Sequence, residues 1–187
     1  MDAARPGAGL PTVLVLASGR SERFTASGGS THKLQALLAG KSVLQHTLDA
    51  VIASGLAWHL EQAGHPGMGD SIAAAVRATR DARGWLVLPG DLPLVRSDTL
   101  RAVAQALAQH AVAIPLYQGA RGHPVGFSAV CREALLDLKG NQGAAPVVRS
   151  HLAMNSVAFM ELDDIGTVTD IDTVEDLARA EELLTMR

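Results

Sequence analysis

Asp91, Asp170 and Asp172 are the carboxylates that the sequence places best for holding a divalent cation. Asp91 follows an apolar run and stands between Gly90 and Leu92-Pro93, so its side chain should emerge where a strand stops. Asp170 and Asp172 lie far along the chain, after another short apolar stretch and before a final helix. Carboxylates delivered from separate strand ends form an oxygen-ligand site suited to Mg²⁺, which takes one or two carboxylates and completes its shell with phosphate and water. Alone, Asp172 reads as a helix cap or turn residue; beside Asp91 it gains a second reading. The segment Leu16-Ala17-Ser18-Gly19-Arg20-Ser21-Glu22-Arg23-Phe24 offers the complementary chemistry. A glycine turn, two arginines and two hydroxyls follow directly on an apolar strand, where backbone N–H groups can hold a phosphate. An ordinary strand-to-helix turn with solvated arginines fits it equally well, and it matches neither G-x-G-x-x-G nor G-x-x-x-x-G-K-[ST]. Lys33 follows a loop containing Gly28-Gly29 and has the freedom to close over an anion as a compact point charge. The alternative is one more solvated surface lysine.

Such groups need strand ends to bring them together, and the hydrophobic pattern supplies these. Residues 12–17 form an apolar run of the kind covered on both faces, and residues 85–88 form another, stopped by the prolines of Pro89-Gly90-Asp91-Leu92-Pro93. Between them, residues 20–33 read as a polar loop with residues 25–31 its most flexible part. Leu44, Leu48, Val51 and Ile52 recur at helical spacing before Gly55, and Asp70 or Ser71 can cap a helix carrying Ile72, Ala75, Val76 and Thr79. Ser97 can cap a helix through Gln109, residues 111–116 return as a strand, and residues 123–127 form a short one. Ser128 can cap a helix ending at Lys139-Gly140, and residues 157–160 read as the last central strand. Thr173 and Asp176 stand at capping-box spacing before Leu177, Ala180, Leu183 and Leu184. This alternation implies an α/β fold of three layers: a mostly parallel sheet, helices on both faces, and a ligand crevice at the strand C-terminal ends.

The 187 residues, 48% of them hydrophobic, suit a single domain spanning 1–187, with residues 1–11 expected to be flexible. A net charge of −3 leaves no electrostatic footprint for nucleic acid. No charged segment followed by an apolar core opens the sequence, and no run of about 18 apolar residues occurs, so neither secretion nor a membrane span is expected. Cys131 is the one cysteine, read as core packing in a reducing cytoplasm. The seven histidines show no ligand spacing, which argues against zinc; His65 and His123, each in Gly-His-Pro, read as turns with surface imidazoles.

Six motifs in order carry a family resemblance. They are the segment from Leu16 to Phe24, Lys33-Leu34, Gly67-Met68-Gly69-Asp70-Ser71, Leu88-Pro89-Gly90-Asp91-Leu92-Pro93, Gly122-His123-Pro124-Val125-Gly126-Phe127, and Asp170-Ile171-Asp172-Thr173-Val174-Glu175-Asp176-Leu177. The chain resembles the molybdenum cofactor nucleotidyltransferases, and within them is most similar to the cytidylyltransferase branch. The resemblance implies a Rossmann-like fold of the nucleoside-triphosphate transferase type. It implies that Leu16, Ala17, Ser18, Gly19, Arg20, Ser21, Lys33, Gly69, Asp70 and Ser71 bind the nucleotide and that Lys33, Arg23 and Asp91 serve catalysis. It also implies that Asp91, with Asp170 or Asp172, holds Mg²⁺, and that His123, Pro124 and Asn141 meet the acceptor. The expected partners are a nucleoside triphosphate, CTP favoured, and a phosphorylated acceptor such as molybdopterin, with transient contact to a molybdoenzyme or its chaperone. A cytidylyltransferase for another sugar- or alcohol-phosphate, and a non-catalytic nucleotide- or cofactor-binding delivery module, are the alternatives. Three departures from the pattern stand out: Ser18 in place of alanine or glycine, a short 55–67 segment, and Asn141 and Ala145 where aspartate and arginine are common. They imply an added hydroxyl contact, a smaller sheet and an altered acceptor pocket.

Overall fold

The computed structural model describes residues 9–19 and 21–186. Residues 1–8 of the segment expected to be flexible, and Arg20 of the expected nucleotide loop, lie outside the described residues. Pro11 is buried, packing near Gly84 where the sheet begins.

The chain runs β1 (Thr12–Leu16), α1 (Glu22–Ala26), a small hairpin of β2 (Leu37–Leu38) and β3 (Lys41–Ser42), α2 (Val43–Ser54), β4 (Trp58–Glu61), α3 (Met68–Ala78), β5 (Gly84–Pro89) and α4 (Ser97–Ala106). It continues with β6 (Val112–Tyr117), β7 (Ala120–Arg121), β8 (Val125–Ser128), α5 (Arg132–Leu136), α6 (Ala145–Ala153), β9 (Val157–Glu161) and α7 (Val174–Thr185). The main sheet has the order β4-β1-β5-β8-β6-β7, with β9 on β6. The pairings of β4 with β1, β1 with β5, and β6 with β9 are parallel; β7 and β8 run against their neighbours. The fold is α/β and Rossmann-like, with a mostly parallel sheet.

Period-two alternation divides the strands between two apolar layers. Leu14, Leu16, Trp85, Val87, Val112 and Ile114 pack with Ile72 and Val76 of α3, Leu135 of α5 and Val147 of α6. Val13, Val15, Leu86, Leu88 and Ala113 face the other way, onto Val51 of α2 and Leu100 and Val103 of α4. Each fully buried Val, Leu or Ile contributes about 1.5–3 kcal/mol from desolvation alone. A third cluster joins Phe24, Leu34, Leu38, Leu94, Ile171 and Ala180. It fastens the segment after β1 to the start of α7 and therefore fixes the groups that face the crevice.

Several local expectations are corrected. Residues 20–33 are not a featureless loop: α1 forms because Phe24, 2% exposed, anchors it in the third cluster. Asp70 and Ser71 do not cap α3, which starts at Met68 with Gly67 at its cap. The glycines are required there, since a Cβ on Gly67 would meet Gly140 O at 2.4 Å and one on Gly69 would meet Lys139 N at 2.9 Å. Ser97 lies inside α4, whose cap is Arg96, and the helix ends at Ala106; Ser128 makes no capping bond, and α5 stops at Leu136. The strand expected at 157–160 is β9, which pairs with β6 alone and leaves Phe159 43% exposed, so it is an edge strand and not a central one. The hairpin and α6 were not anticipated. The Thr173–Asp176 capping box forms as expected. Cys131 is buried, and burial pushes its thiol up to about 11, which leaves it inert as a nucleophile. No helix among the described residues is long and apolar enough to cross a membrane.

Asp164 holds the segment after β9 to the loop after β5. Its carboxylate accepts from Thr99 Oγ1 at 2.7 Å, Arg96 N at 2.9 Å and Gly166 N at 3.0 Å, and it is 3% exposed. Asp164→Ala strips buried donors of their acceptor and should cost about 2–4 kcal/mol in urea unfolding; a loss below about 0.5 kcal/mol would show that the tie is dispensable.

Candidate active site

Two backbone devices bring Asp91 to the crevice. Gly90 N donates to Leu16 O at 2.9 Å while Gly90 O accepts from Thr47 Oγ1 at 3.0 Å, so the turn after β5 is held against the end of β1. A Cβ on Gly90 would lie 3.1 Å from Leu16 O, a closeness that favours glycine. Asp91 O then accepts from Ile171 N at 3.0 Å, and Ile171 is fully buried, which sets Asp170 and Asp172 on either side of a fixed residue beside Asp91.

Lys33 closes the group. Its Nζ donates to Asp91 Oδ2 at 2.6 Å and to Asp172 Oδ1 at 2.9 Å, and its side chain is only 13% exposed. The other Asp172 oxygen meets Arg23 Nη1 at 2.6 Å, with the Arg23 side chain itself 76% exposed. Burial by itself would depress the Lys33 ammonium, but Asp91 and Asp172 overcome it and hold its pKa above the usual 10.5. Partial loss of solvent, with the Asp172 and Asp91 charges nearby, raises the Asp170 carboxyl above its ordinary value. Asp91 Oδ1 is buried and has no hydrogen-bond partner. Among the described residues no group of three or more metal-type ligands is arranged to hold an ion; the Lys33 ammonium sits between two of the carboxylates.

The turn after β1 is shaped by its own polar groups. His32 Nε2 donates to Gly19 O at 2.7 Å while His32 Nδ1 accepts from Leu34 N at 3.3 Å, which fixes one tautomer. Ser21 Oγ accepts from Lys33 N at 3.1 Å, and the Ser18 and Ser71 hydroxyls are 2.9 Å apart. A cavity of about 460 Å³ opens here, with Ser18, Gly19, Ser21, Arg23, Lys33, His65, Ser71, Asn141 and Asp172 in its wall. Leu16 and Ala17 are the strand end behind it. Asp70 faces elsewhere: its Oδ2 accepts from Gly140 N at 2.8 Å and, with Gly69, holds the 139–141 turn.

A second cavity of about 440 Å³ lies beside the first. Its wall is mostly apolar, including Leu16, Ile72, Val87, Ile114 and Val148, with Arg121, His123 and Arg149 as its charged or ionisable members. His123 is a correction to the surface imidazole expected from Gly-His-Pro: burial depresses its pKa against the pull of Asp91. Pro124 follows a cis peptide bond and is buried. Asn141, grouped with these two in the sequence, lines the first cavity and not the second.

Residues 51–154, more than half of the chain, match the model of the MobA-like NTP transferase domain. The chain belongs to the MobA-like NTP transferases. Purine catabolism protein PucB of Bacillus subtilis is 33% identical over 120 residues, which cover 63% of this chain and 58% of PucB. Among solved structures, the manganese complex of Rv0371C from Mycobacterium tuberculosis is 23% identical with a TM-score of 0.71, over 92% of this chain and 98% of that one. Molybdopterin-guanine dinucleotide biosynthesis protein A from Archaeoglobus fulgidus is 18% identical with a TM-score of 0.63, over 94% and 100%. Both are likenesses of fold. The matched span leaves out β1 and its turn, so in this MobA-like chain the Leu16–Phe24 motif is an independent sign.

The sequence reading missed Arg121, Arg149 and His65 in these walls, and Glu61 behind His65. Glu61 carried a usable signal, since it ends a short strand before a glycine-containing segment much as Asp91 does. The two arginines carried none, because nothing local distinguishes them from solvated surface residues.

The Lys33 contacts lead to a stability test. A pKa raised above the unfolded value contributes stability that is fully present below 10.5 and lost as pH rises through the folded value. Lys33→Met should therefore unfold more easily by about 2–4 kcal/mol at neutral pH, with a difference that stays flat to about pH 9 and shrinks above 10.5. A neutral-pH stability equal to the parent's would return Lys33 to the solvent.

Proposed function

We propose that this protein is a Mg²⁺-dependent cytidylyltransferase acting in the cytoplasm as a single domain. It transfers CMP from CTP to a phosphorylated acceptor of the molybdopterin type and releases pyrophosphate. The observation that carries this reading is the meeting of Lys33 and Arg23 with Asp91 and Asp172, with Asp170 close to both carboxylates, at the mouth of a cavity built on the turn after β1. Cations suited to a polyphosphate and carboxylates suited to a metal lie within one hydrogen bond of each other, an arrangement that a pure binding module does not need.

An acceptor phosphate oxygen attacks the α-phosphorus, the bond from that phosphorus to the bridging oxygen of the β-phosphate breaks, and pyrophosphate departs with that oxygen. The attacking oxygen is already ionised near neutral pH, so no general base is needed. The site has to supply in-line positioning and charge. Lys33 and Arg23 neutralise the triphosphate as they leave the carboxylates, and the backbone of Gly19 and Ser21 borders the phosphates. Asp91, Asp170 and Asp172 are the residues that would hold Mg²⁺, and the orphaned Asp91 Oδ1 has the chemistry of such a ligand. Bound there, the cation supplies charge for the phosphate oxygens. The manganese complex of Rv0371C supports a divalent ion in this fold.

The second cavity supports the acceptor. Its apolar wall suits a flat heterocycle better than a sugar, whose hydroxyls would find few partners, and Arg121 and Arg149 suit an attached anionic group. The likeness to molybdopterin-guanine dinucleotide biosynthesis protein A points the same way. His123 lines both this cavity and one that contains Asp91 and Lys33, between the two substrates.

Pyrophosphate release from CTP, Mg²⁺ and molybdopterin is the direct assay, and no release with any of the four triphosphates would refute the reading. Asp91→Asn should remain folded and lose about a thousandfold in rate at saturating Mg²⁺; activity within about tenfold of the parent would remove Asp91 from the site.

A further inference from the structure

The short stretch between β4 and α3 holds an arrangement that the phosphate chemistry does not use. Glu61 ends β4 in register with Leu16, and its carbonyl accepts from Ala17 N at 2.9 Å, so it is fixed beside the turn after β1. Its carboxylate accepts from Ala63 N at 3.0 Å and lies 3.2 Å from His65 Nε2 and 3.6 Å from His59 Nε2. His65 Nε2 is buried without a well-aligned hydrogen bond, and the ring lines the cavity whose other wall carries Arg23 and Lys33. A triphosphate held by those cations leaves its base to the remaining wall, where His65, Asn141 and the Ser18–Ser71 hydroxyl pair are among the polar groups.

The tautomer of His65 follows from the carboxylate beside it. Burial alone would raise the Glu61 carboxyl, but the Ala63 N–H and the two imidazoles outweigh it and keep the group below its ordinary value, hence ionised. A carboxylate only accepts, so an ionised Glu61 3.2 Å away favours the tautomer with the proton on Nε2 of His65. The other ring nitrogen, Nδ1, is in that neutral tautomer a bare acceptor. An acceptor there is satisfied by an exocyclic amino group and left opposed by a carbonyl oxygen.

The geometry points to His65 as the residue that reads the edge of the nucleobase, with Glu61 as the positioning residue that fixes its orientation, so that the site selects a base offering an amino N–H at that edge. This rests on the nucleotide site proposed above. Cytosine and uracil isolate the effect, because they share one ring and differ in having an amino or a carbonyl group at that edge. His59 is a second neighbour of Glu61, its Nε2 3.6 Å from the other carboxylate oxygen.

Calorimetric titration of CTP and UTP with Mg²⁺, without acceptor and at about pH 8 where an ordinary imidazole is neutral, reads the selection directly. The parent should bind CTP about tenfold tighter than UTP, and His65→Ala should bring the two within about twofold by weakening CTP. Glu61→Gln should narrow the ratio in the parent and leave it unchanged in His65→Ala, since a residue that acts through His65 has nothing left to act on. His65→Phe keeps the ring without its nitrogens and is read in the same way should the alanine variant fail to fold. A ratio unchanged by loss of the imidazole, or a Glu61→Gln effect of equal size with and without His65, would overturn the assignment. A parent that binds both triphosphates equally would overturn it while leaving the nucleotide site standing. A parent that binds neither would refute the site and this inference together.

Discussion

The ammonium of Lys33 between Asp91 and Asp172 is the contact on which the rest of the site depends. Three carboxylates near one another repel, and the Asp170 pKa is raised first by burial and then by the charges of Asp172 and Asp91. Backbone bonds hold the strand ends together, and the cation among the carboxylates relieves their repulsion. The 2.6 Å and 2.9 Å contacts of Lys33, with Arg23 on the outer oxygen of Asp172, neutralise the cluster from two directions. The same two cations are the ones a polyphosphate would need. The protein thus pairs Lys33 and Arg23 with Asp91 and Asp172 and leaves Asp91 Oδ1 without a partner; in the proposed reading each kind of ligand displaces one set from the other.

The remainder of the fold can be understood as the frame for that contact. Pro89 stops β5, Gly90 lets the turn approach Leu16 closely, and the Ile171 N–H grips the carbonyl of Asp91, so two chain segments arrive together although about 80 residues separate them. Phe24 and Leu34 belong to the same apolar cluster as Ile171 and Ala180, which brings the turn after β1 and its lysine to the same place. Asp164 clamps the approach to Asp170 onto the start of α4. These are side-chain and backbone ties at the C-terminal ends of the strands, where an α/β sheet leaves its crevice.

The central strands were legible because their apolar runs are bounded by residues that cannot continue a sheet. The 85–88 run ending in Pro89-Gly90 is the clearest instance, and it placed Asp91 at the crevice. Thr173 and Asp176 were legible because a capping box is a local rule. What stayed hidden depended on contacts across the fold. Residues 20–33 look like a loop by composition, yet one aromatic side chain seated in a distant cluster makes part of them a helix. Asp70 has the type and place of a helix cap or a ligand, but Gly140 claims its carboxylate. Lys33 was expected to bind an anion from its motif; that two aspartates hold it could not be read from spacing. His65 and Glu61 lie in the segment that departs most from the family pattern, where resemblance gave no guidance.

Displacement is the testable core of this arrangement. If Lys33 occupies the position a divalent cation would take, removing its charge should expose the carboxylates to metal even with no nucleotide present. The decisive measurement is Mn²⁺ binding to the nucleotide-free protein, followed by the electron paramagnetic resonance signal of the free ion, in the parent and in Lys33→Met. The variant should bind Mn²⁺ at least about tenfold more tightly, a gain of about 1.4 kcal/mol. Equal or weaker binding in the variant would contradict the displacement and leave Lys33 as a structural ion pair beside the site.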